Sequence, residues 1–155
     1  MRFLLIVSLA LLGFLTSGCG GSDETASGPS ASWKGLEQFA GPYRERLRIP
    51  EGPPPEEVEK VDLKRGSGPP LEVGEVFGIY WIAFRYSTGT VRENFLKADV
   101  PFTYTYGVGD TVPGWEEGLE GMREGGVREL IVPGDLAYGR DAVVYLIKKI
   151  DIDRN

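Results

Sequence analysis

The chain has 155 residues, a formal net charge of −6 and no histidine, and Cys19 is its only cysteine. The acidic balance argues against nucleic acid as a partner, because phosphate backbones are bound by clusters of Lys and Arg. Without imidazole or a second thiol, the chain cannot form Ser-His or Cys-His nucleophilic triads, and we expect neither a metal nor a cofactor.

The first eighteen residues are arranged like a signal peptide. Arg2 gives a short positive region, residues 3–15 form an apolar run, and small residues at 16–18 precede Cys19. The run is too short to span a bilayer, which needs about 20 apolar residues. We therefore predict a signal peptide over residues 1–18.

The leucine, small residues and cysteine at 15–19 resemble the lipobox of bacterial lipoproteins, with Leu15 one place farther from the cysteine than is usual. The resemblance implies that Cys19 is acylated and holds the protein on a membrane outside the cytoplasm. Two or three acyl chains are enough, since each buried CH₂ contributes about 0.8 kcal/mol. The alternative is a secreted protein that is cleaved elsewhere and keeps Cys19 as a free thiol.

Two segments separate this anchor from the rest of the chain. Residues 20–32 are small and polar, so residues 19–32 are predicted to be the lipidated cysteine and a flexible tether. Residues 33–56 form an N-terminal extension. Apolar residues spaced by three and four over 33–48 predict a short helix that packs on the domain, with partner binding as the alternative. The proline-rich residues 49–56 predict an extended connection.

Residues 57–155 have the pattern of one α+β domain. Alternating or β-branched runs predict strands over 58–63, 76–86, 101–106, 127–132 and 142–150, and turns over 65–68 and 87–89. One helix is predicted over 114–122, with Glu116 and Glu117 favourable near its N-terminus. We expect an antiparallel sheet of about five strands and one short helix.

Residues 107–139 contain VPGWEEGLEGM, a two-glycine turn, RELIVP and LAYG, in that order. This run resembles the FKBP-type peptidyl-prolyl cis-trans isomerases, and the resemblance extends over residues 58–155. It implies an FKBP-like half-barrel whose sheet wraps on the helix, and an activity on proline-containing polypeptides. The composition agrees, because twisting an X-Pro amide needs an apolar site and fixed hydrogen-bond donors but no imidazole, thiolate or metal.

The resemblance also implies roles for individual residues. Three are expected to be catalytic: Tyr138 donates to a substrate carbonyl, Trp115 is the floor under the prolyl ring, and Glu93 supplies a carboxylate. Substrate-binding walls are expected from Trp81, Phe102, Thr111, Val112 (also through its backbone N–H) and Tyr145, where the family commonly has phenylalanine. Ile82 is the alternative to Trp81.

Two departures from the family pattern affect the expected pocket. Arg92-Glu93 stands where the family usually has Phe-Asp, so a cation replaces an apolar wall; the alternative is that the hairpin is shifted. Arg140-Asp141 leads directly into the last strand, where the family usually has a longer loop overhanging the pocket. We expect a shallower and wetter site, which gives less catalytic advantage from dehydrating the amide.

Three functions follow as hypotheses. The first is an isomerase, expected to be a monomer, that helps exported proteins fold at a membrane. The second is a catalytically weak or inactive binding module that uses the same pocket. The third is a structural lipoprotein.

Overall fold

A computed structural model describes residues 41–43, 46–47, 49–96 and 98–152 of the chain. The predicted signal peptide, Cys19 and tether lie outside the described residues, as does most of the predicted helix over 33–48. The described part of that segment contains a 3₁₀ turn at Gly41–Tyr43. Among the described residues, we find no helix with the length and apolar character that a membrane span requires.

One α-helix and eight strands make up the described domain. In chain order they are β1 (Glu59–Lys64), β2 (Ser67–Pro70), β3 (Val76–Arg85), β4 (Val91–Asn94), β5 (Phe102–Thr105), α1 (Pro113–Leu119), β6 (Arg123–Glu124), β7 (Val127–Val132) and β8 (Val143–Ile150).

The main sheet has six strands in the order β1-β7-β8-β3-β4, with β5 also paired to β3 beyond the end of β4. All of its pairings are antiparallel. The ten-residue β3 is its centre, because it pairs along one edge with β8 and along the other with β4 and β5. The antiparallel α+β architecture with one short helix is confirmed.

Alternation along the strands divides the core into two clusters, one on each side of the sheet. The helix-side cluster, packed around α1, consists of Leu71, Phe77, Ile79, Trp81, Ala83, Tyr104, Tyr106, Trp115, Leu119, Met122, Leu130, Val132, Val143, Tyr145 and Ile147. The outer cluster consists of Leu47, Leu63, Ile82, Phe84, Tyr86, Val127, Ile131, Ala142, Val144 and Leu146.

The helix lies very close to β7, and two glycines make this approach possible. A Cβ atom on Gly114 would come within 2.2 Å of the Val132 side chain, and one on Gly118 within 2.6 Å of Leu130. Because the two glycines are four residues apart, they lie on the same face of α1. The glycines therefore let α1 pack closely against the sheet, with the intervening Trp115 buried in the helix-side cluster.

The structure corrects three details of the sequence prediction. The segment predicted as a turn at 65–68 instead leads into β2, which pairs with β6; the two prolines in β2 had hidden its strand character. The helix ends at Leu119 rather than 122, and Gly121 has a left-handed φ of 67°. The short strand β4 was not predicted, because Val91 is its one apolar residue.

Candidate active site

Aromatic rings converge on Trp115, the third residue of α1. The Trp115 side chain is only 4% exposed. The rings of Trp81, Tyr104 and Tyr145 approach it edge-on, with centroid distances of 5.3, 6.1 and 5.5 Å. Edge-to-face contacts of this kind are favourable because the positive ring edge meets the negative ring face. The sequence-predicted floor residue therefore lies at the centre of an aromatic cluster.

Strand register brings these rings together. Tyr145 on β8 lies directly opposite Ala83 on β3 and Leu130 on β7, so all three point to the helix side. Residues two apart on a strand share a face, which places Tyr104 on the helix side and Trp81 on the same side as Ala83. Tyr104 was not among the predicted site residues, although the alternation in residues 101–106 was a signal for it.

The structure distinguishes Trp81 from its alternative. Trp81 belongs to the helix-side cluster, whereas Ile82 belongs to the outer cluster on the opposite face of β3. Trp81 is therefore the residue of this pair that lies beside Trp115.

Two exposed phenylalanines pack against the ring of Trp81. Phe95 stacks on its ring with a centroid distance of 3.9 Å and an interplanar angle of 14°. Phe102, a predicted wall residue, approaches the same ring edge-on at 5.5 Å. Each phenylalanine is 42% exposed. Phe95 was missed because it follows β4 in a polar stretch where no periodicity marks it.

Thr111 and Val112 lie directly before the N-terminus of α1. Val112 is the N-cap residue of the helix and packs against the helix-side cluster. The Thr111 hydroxyl donates to the Tyr104 hydroxyl at 3.3 Å. The loop that precedes them is held by the Glu116 carboxylate, which accepts hydrogen bonds from the backbone N–H groups of Gly107 (2.8 Å) and Gly109 (2.9 Å).

Tyr138, Arg92 and Glu93 form the polar side of the site. Tyr138 is 47% exposed, and the Arg92 guanidinium carbon lies 4.0 Å from the centroid of its ring. One Glu93 carboxylate oxygen accepts a hydrogen bond from Trp81 Nε1 at 3.2 Å, and the other lies 3.6 Å from Arg92 Nε. The Glu93 carboxylate is thus hydrogen-bonded to Trp81, which was predicted as a wall residue. Arg92 packs over the ring of Tyr138, which was predicted as the hydrogen-bond donor.

The tyrosine hydroxyls in this region keep their protons at neutral pH. Burial raises the pKa of Tyr138, and the nearby Glu93 carboxylate acts in the same direction. Burial also raises the pKa of Tyr145, with Tyr138 as a further cause. The two hydroxyls are close enough to influence each other, yet their geometry leaves the Tyr145 hydroxyl without a hydrogen-bond partner.

Three buried side-chain atoms of the described residues lack a hydrogen-bond partner, and all three belong to this region. They are Arg92 Nε, Trp115 Nε1 and the Tyr145 hydroxyl. Each carries a hydrogen that it can donate. Because unpartnered buried polar atoms are uncommon in native proteins, their grouping distinguishes this region from the rest of the described domain.

The connection after Tyr138 is short, as the sequence indicated. Asp141 accepts hydrogen bonds from the Ser87 hydroxyl at 2.7 Å and from the Ser87 backbone N–H at 3.3 Å. This contact fastens the start of β8 to the turn between β3 and β4. The side chains of Tyr138, Phe95 and Phe102 are exposed, so the site is open to solvent at these residues.

Chemically, the arrangement offers an apolar aromatic surface with neutral hydrogen-bond donors at its edge. In the described residues there is no group of three or more His, Cys, Asp or Glu side chains placed to hold a metal ion. Such a surface can bind a small ring and orient neighbouring carbonyl groups.

Comparison with known proteins identifies the family. The family model described as FKBP-type peptidyl-prolyl cis-trans isomerase matches residues 79–149. The chain is 34% identical over 91 residues to an FK506-binding protein of Streptomyces anulatus, a match covering 59% of this chain and 73% of that protein. It is 36% identical over 78 residues to an FK506-binding protein of Neisseria meningitidis serogroup B, covering 50% and 71%.

The solved structure of AtFKBP13 has the same fold, with a TM-score of 0.55 and 24% identity over 60% of this chain and 90% of that one. Fold, motif and sequence identity agree, and the chain belongs to the FKBP-type peptidyl-prolyl cis-trans isomerase family.

Proposed function

We propose that this protein catalyses the cis/trans isomerisation of X-Pro bonds in exported polypeptides, and that the prolyl ring binds against Trp115. The observation that carries this proposal is the aromatic surface around Trp115, bordered by the Tyr138 hydroxyl and by the N-terminal end of α1. Its apolar character suits the pyrrolidine ring, which has no N–H and no polar substituent.

The site lowers the barrier by favouring the twisted amide. The uncatalysed barrier of about 18–20 kcal/mol reflects the loss of amide resonance. The planar amide has the larger charge separation, so an apolar surface disfavours it relative to the twisted form. We assign the Tyr138 hydroxyl and the Val112 N–H to substrate carbonyls on the two sides of the proline. These hydrogen bonds orient the peptide on the aromatic surface so that the X-Pro bond lies where it can rotate.

Glu93 acts on Tyr138 rather than on the substrate. Its carboxylate is held by Trp81 Nε1 and lies near the Tyr138 hydroxyl, where its charge favours the protonated tyrosine. A protonated Tyr138 is the form that can donate a hydrogen bond. Glu93 is therefore a positioning residue in this proposal.

A protease-coupled assay on a Leu-Pro peptide tests the proposal with the full chain in detergent. We expect acceleration proportional to protein concentration, and a drop of about three- to tenfold in kcat/KM for Tyr138→Phe, the worth of one neutral hydrogen bond. Tyr80→Phe is the matched control, because Tyr80 lies on β3 beside Trp81 and therefore points to the outer side. No acceleration, or equal losses in both variants, would refute the pocket assignment.

A binding module with little catalysis is the second candidate, and the position of Arg92 favours it. A guanidinium 4.0 Å above the Tyr138 ring brings charge and water to the side of the site where catalysis benefits from dryness. In that case a Leu-Pro peptide would quench or shift the tryptophan fluorescence on binding, while its isomerisation rate would stay at the uncatalysed value.

The location of the protein is a separate proposal. We propose that the Cys19 lipid holds a monomeric domain on the outer side of a bacterial membrane, where clients fold after export. Uncatalysed isomerisation takes tens of seconds, so such clients gain from a catalyst. Cys19→Ser should move the protein from the membrane fraction to the soluble fraction. Unchanged membrane partitioning would contradict lipid as the anchor.

A further inference from the structure

Two cations buried in the described domain are directly paired. Arg128 Nε lies 2.7 Å from an Asp62 carboxylate oxygen, and its Nη1 donates to two backbone carbonyls at 2.8 Å each. Lys149 Nζ lies 2.7 Å from a Glu75 carboxylate oxygen. These partners compensate the loss of hydration, as buried charges require.

Arg92 has no carboxylate at such a short distance, although three quarters of its side chain is buried. Its Nε has no hydrogen-bond partner among the described residues. The nearest carboxylate oxygen, on Glu93, is 3.6 Å away, and the other Glu93 oxygen already accepts from Trp81. The guanidinium also lies over the Tyr138 ring, with its carbon 4.0 Å from the ring centroid.

The aromatic site contains other donors without a partner. Arg92 Nε shares this property with Trp115 Nε1 and the Tyr145 hydroxyl, the other two unpartnered buried atoms of the described residues. Arg92 is the one of these that carries a positive charge. A ligand carboxylate at this edge would bind the Arg92 guanidinium more strongly than a neutral ligand group would, because charge-assisted hydrogen bonds are the stronger ones.

We infer that Arg92 makes this isomerase selective for proline segments in which an aspartate or glutamate stands directly before the proline. The inference rests on the proposed function, in which Tyr138 binds a carbonyl next to the isomerising bond. The residue before the proline owns the carbonyl of that bond, and Arg92 covers the ring of Tyr138. In this arrangement, the side chain of the substrate residue before the proline is the part of the substrate nearest to the Arg92 guanidinium.

Short peptides that differ only before the proline test this selectivity. The full chain should give kcat/KM values for Glu-Pro about tenfold above those for Gln-Pro, which corresponds to about 1.4 kcal/mol. Lys-Pro should be the poorest substrate of the set. The ratio should shrink in 0.5 M salt, since the Debye length there is only about 4 Å, well below its value at physiological ionic strength.

Arg92→Gln should bring the Glu-Pro to Gln-Pro ratio to about one. Arg65→Gln is the matched control, because it removes the same charge from the β1–β2 connection, where Arg65 lines a separate cavity of about 530 Å³. The control should keep the full ratio. Equal kcat/KM values for Glu-Pro and Gln-Pro, or a ratio that survives Arg92→Gln, would overturn the inference.

Binding measurements separate this inference from the proposed function. If no peptide, including Leu-Pro, is isomerised faster than in buffer, the proposed function fails. Tryptophan fluorescence titrations with Glu-Pro and Gln-Pro peptides then still decide the inference. About tenfold tighter binding of Glu-Pro that is lost in Arg92→Gln supports it, and equal affinities overturn it.

Discussion

The two sides of the sheet are both well buried, yet they differ in how they treat polar atoms. On the outer side, the Tyr86 hydroxyl donates to the Pro53 carbonyl at 3.2 Å. On the helix side, Trp115 Nε1 and the Tyr145 hydroxyl are buried with no partner, and Arg92 Nε joins them at the edge. The outer cluster satisfies this polar atom within the protein. The helix-side cluster satisfies Trp81 Nε1 and the Tyr106 hydroxyl but leaves the Trp115 and Tyr145 donors unused.

The two sides also differ in what covers them. Leu47 is buried in the outer cluster, and Tyr43 and Ile49 pack against it, so the N-terminal extension closes that side. The helix side ends in exposed aromatic rings, Phe95 and Phe102. A closed cluster contributes stability alone, while an open aromatic surface with free donors retains the capacity to bind. Local violations of good packing are expected where a protein binds or reacts.

The largest expected effects come from truncating one core residue on each side. Trp115→Ala should lower the free energy of unfolding by about 3–5 kcal/mol, and Leu146→Ala by about 2–5 kcal/mol. Only Trp115→Ala should remove isomerase activity, because Leu146 lies in the outer cluster. Denaturant unfolding and kcat/KM at low temperature, where both variants are folded, check this. Loss of activity in folded Leu146→Ala would contradict the claim that only the helix side carries the isomerase activity.

Alkaline pH should lower the free energy of unfolding through two tyrosines of the helix-side cluster. Burial raises the pKa of Tyr104 and of Tyr145, while an unfolded tyrosine titrates near about 10. Above that pH the unfolded chain loses protons that the folded protein keeps, so stability is full below about pH 10 and falls as the pH rises further. Each such tyrosine contributes a slope of about 1.4 kcal/mol per pH unit.

Unfolding free energies measured between pH 8 and 11.5 test this dependence. Tyr145→Phe should remove one tyrosine's share of the slope. An identical slope in the wild type and in this variant would show that Tyr145 titrates normally in the folded protein.

A pair of smaller changes has opposite signs on the two sides. Tyr145→Phe removes an unpartnered hydroxyl and should raise the free energy of unfolding by about 1 kcal/mol at neutral pH. Tyr86→Phe removes a satisfied hydroxyl and should lower it by about 1 kcal/mol. Thermal and denaturant unfolding of the two variants measure both. Destabilisation by Tyr145→Phe would mean that its hydroxyl has a partner in the folded protein.

The smallest expected effect concerns Phe95. Phe95→Ala removes a stacked aromatic pair, so we expect the free energy of unfolding to fall by about 0.5–1.5 kcal/mol and KM to rise severalfold. Val61→Ala is the control, because Val61 is similarly exposed but lies on β1. Peptide titrations followed by isomerase kinetics compare the two. Equal KM values would remove Phe95 from the substrate-binding surface.

The sequence predicted the parts of the fold whose burial leaves a pattern. The strands β3, β7 and β8 are almost continuously buried, and α1 carries a long family motif, so all four were located closely. The strand β4 has three polar residues of four, and β2 contains two prolines, so neither shows a strand pattern.

The family motif located several residues of the candidate site, and their roles stay predictions. The structure brings Trp115, Trp81 and Tyr145 together, with Tyr138 at the rim, as the resemblance implied. Phe95 could not be predicted, because its contact with Trp81 depends on how the chain turns after β4. Whether a donor such as Arg92 Nε finds a partner also depends on the folded geometry, since sequence gives the donor but not the acceptors around it.

Exchange NMR on a Leu-Pro peptide tests the central claim most directly, because it follows the cis and trans peptide without a coupling protease. With the full chain present, cis–trans exchange should become faster in proportion to protein concentration. Leu146→Ala should preserve this acceleration and Trp115→Ala should abolish it. Exchange that stays at the uncatalysed rate with folded wild-type protein, or acceleration that persists in Trp115→Ala, would contradict catalysis at the aromatic surface around Trp115.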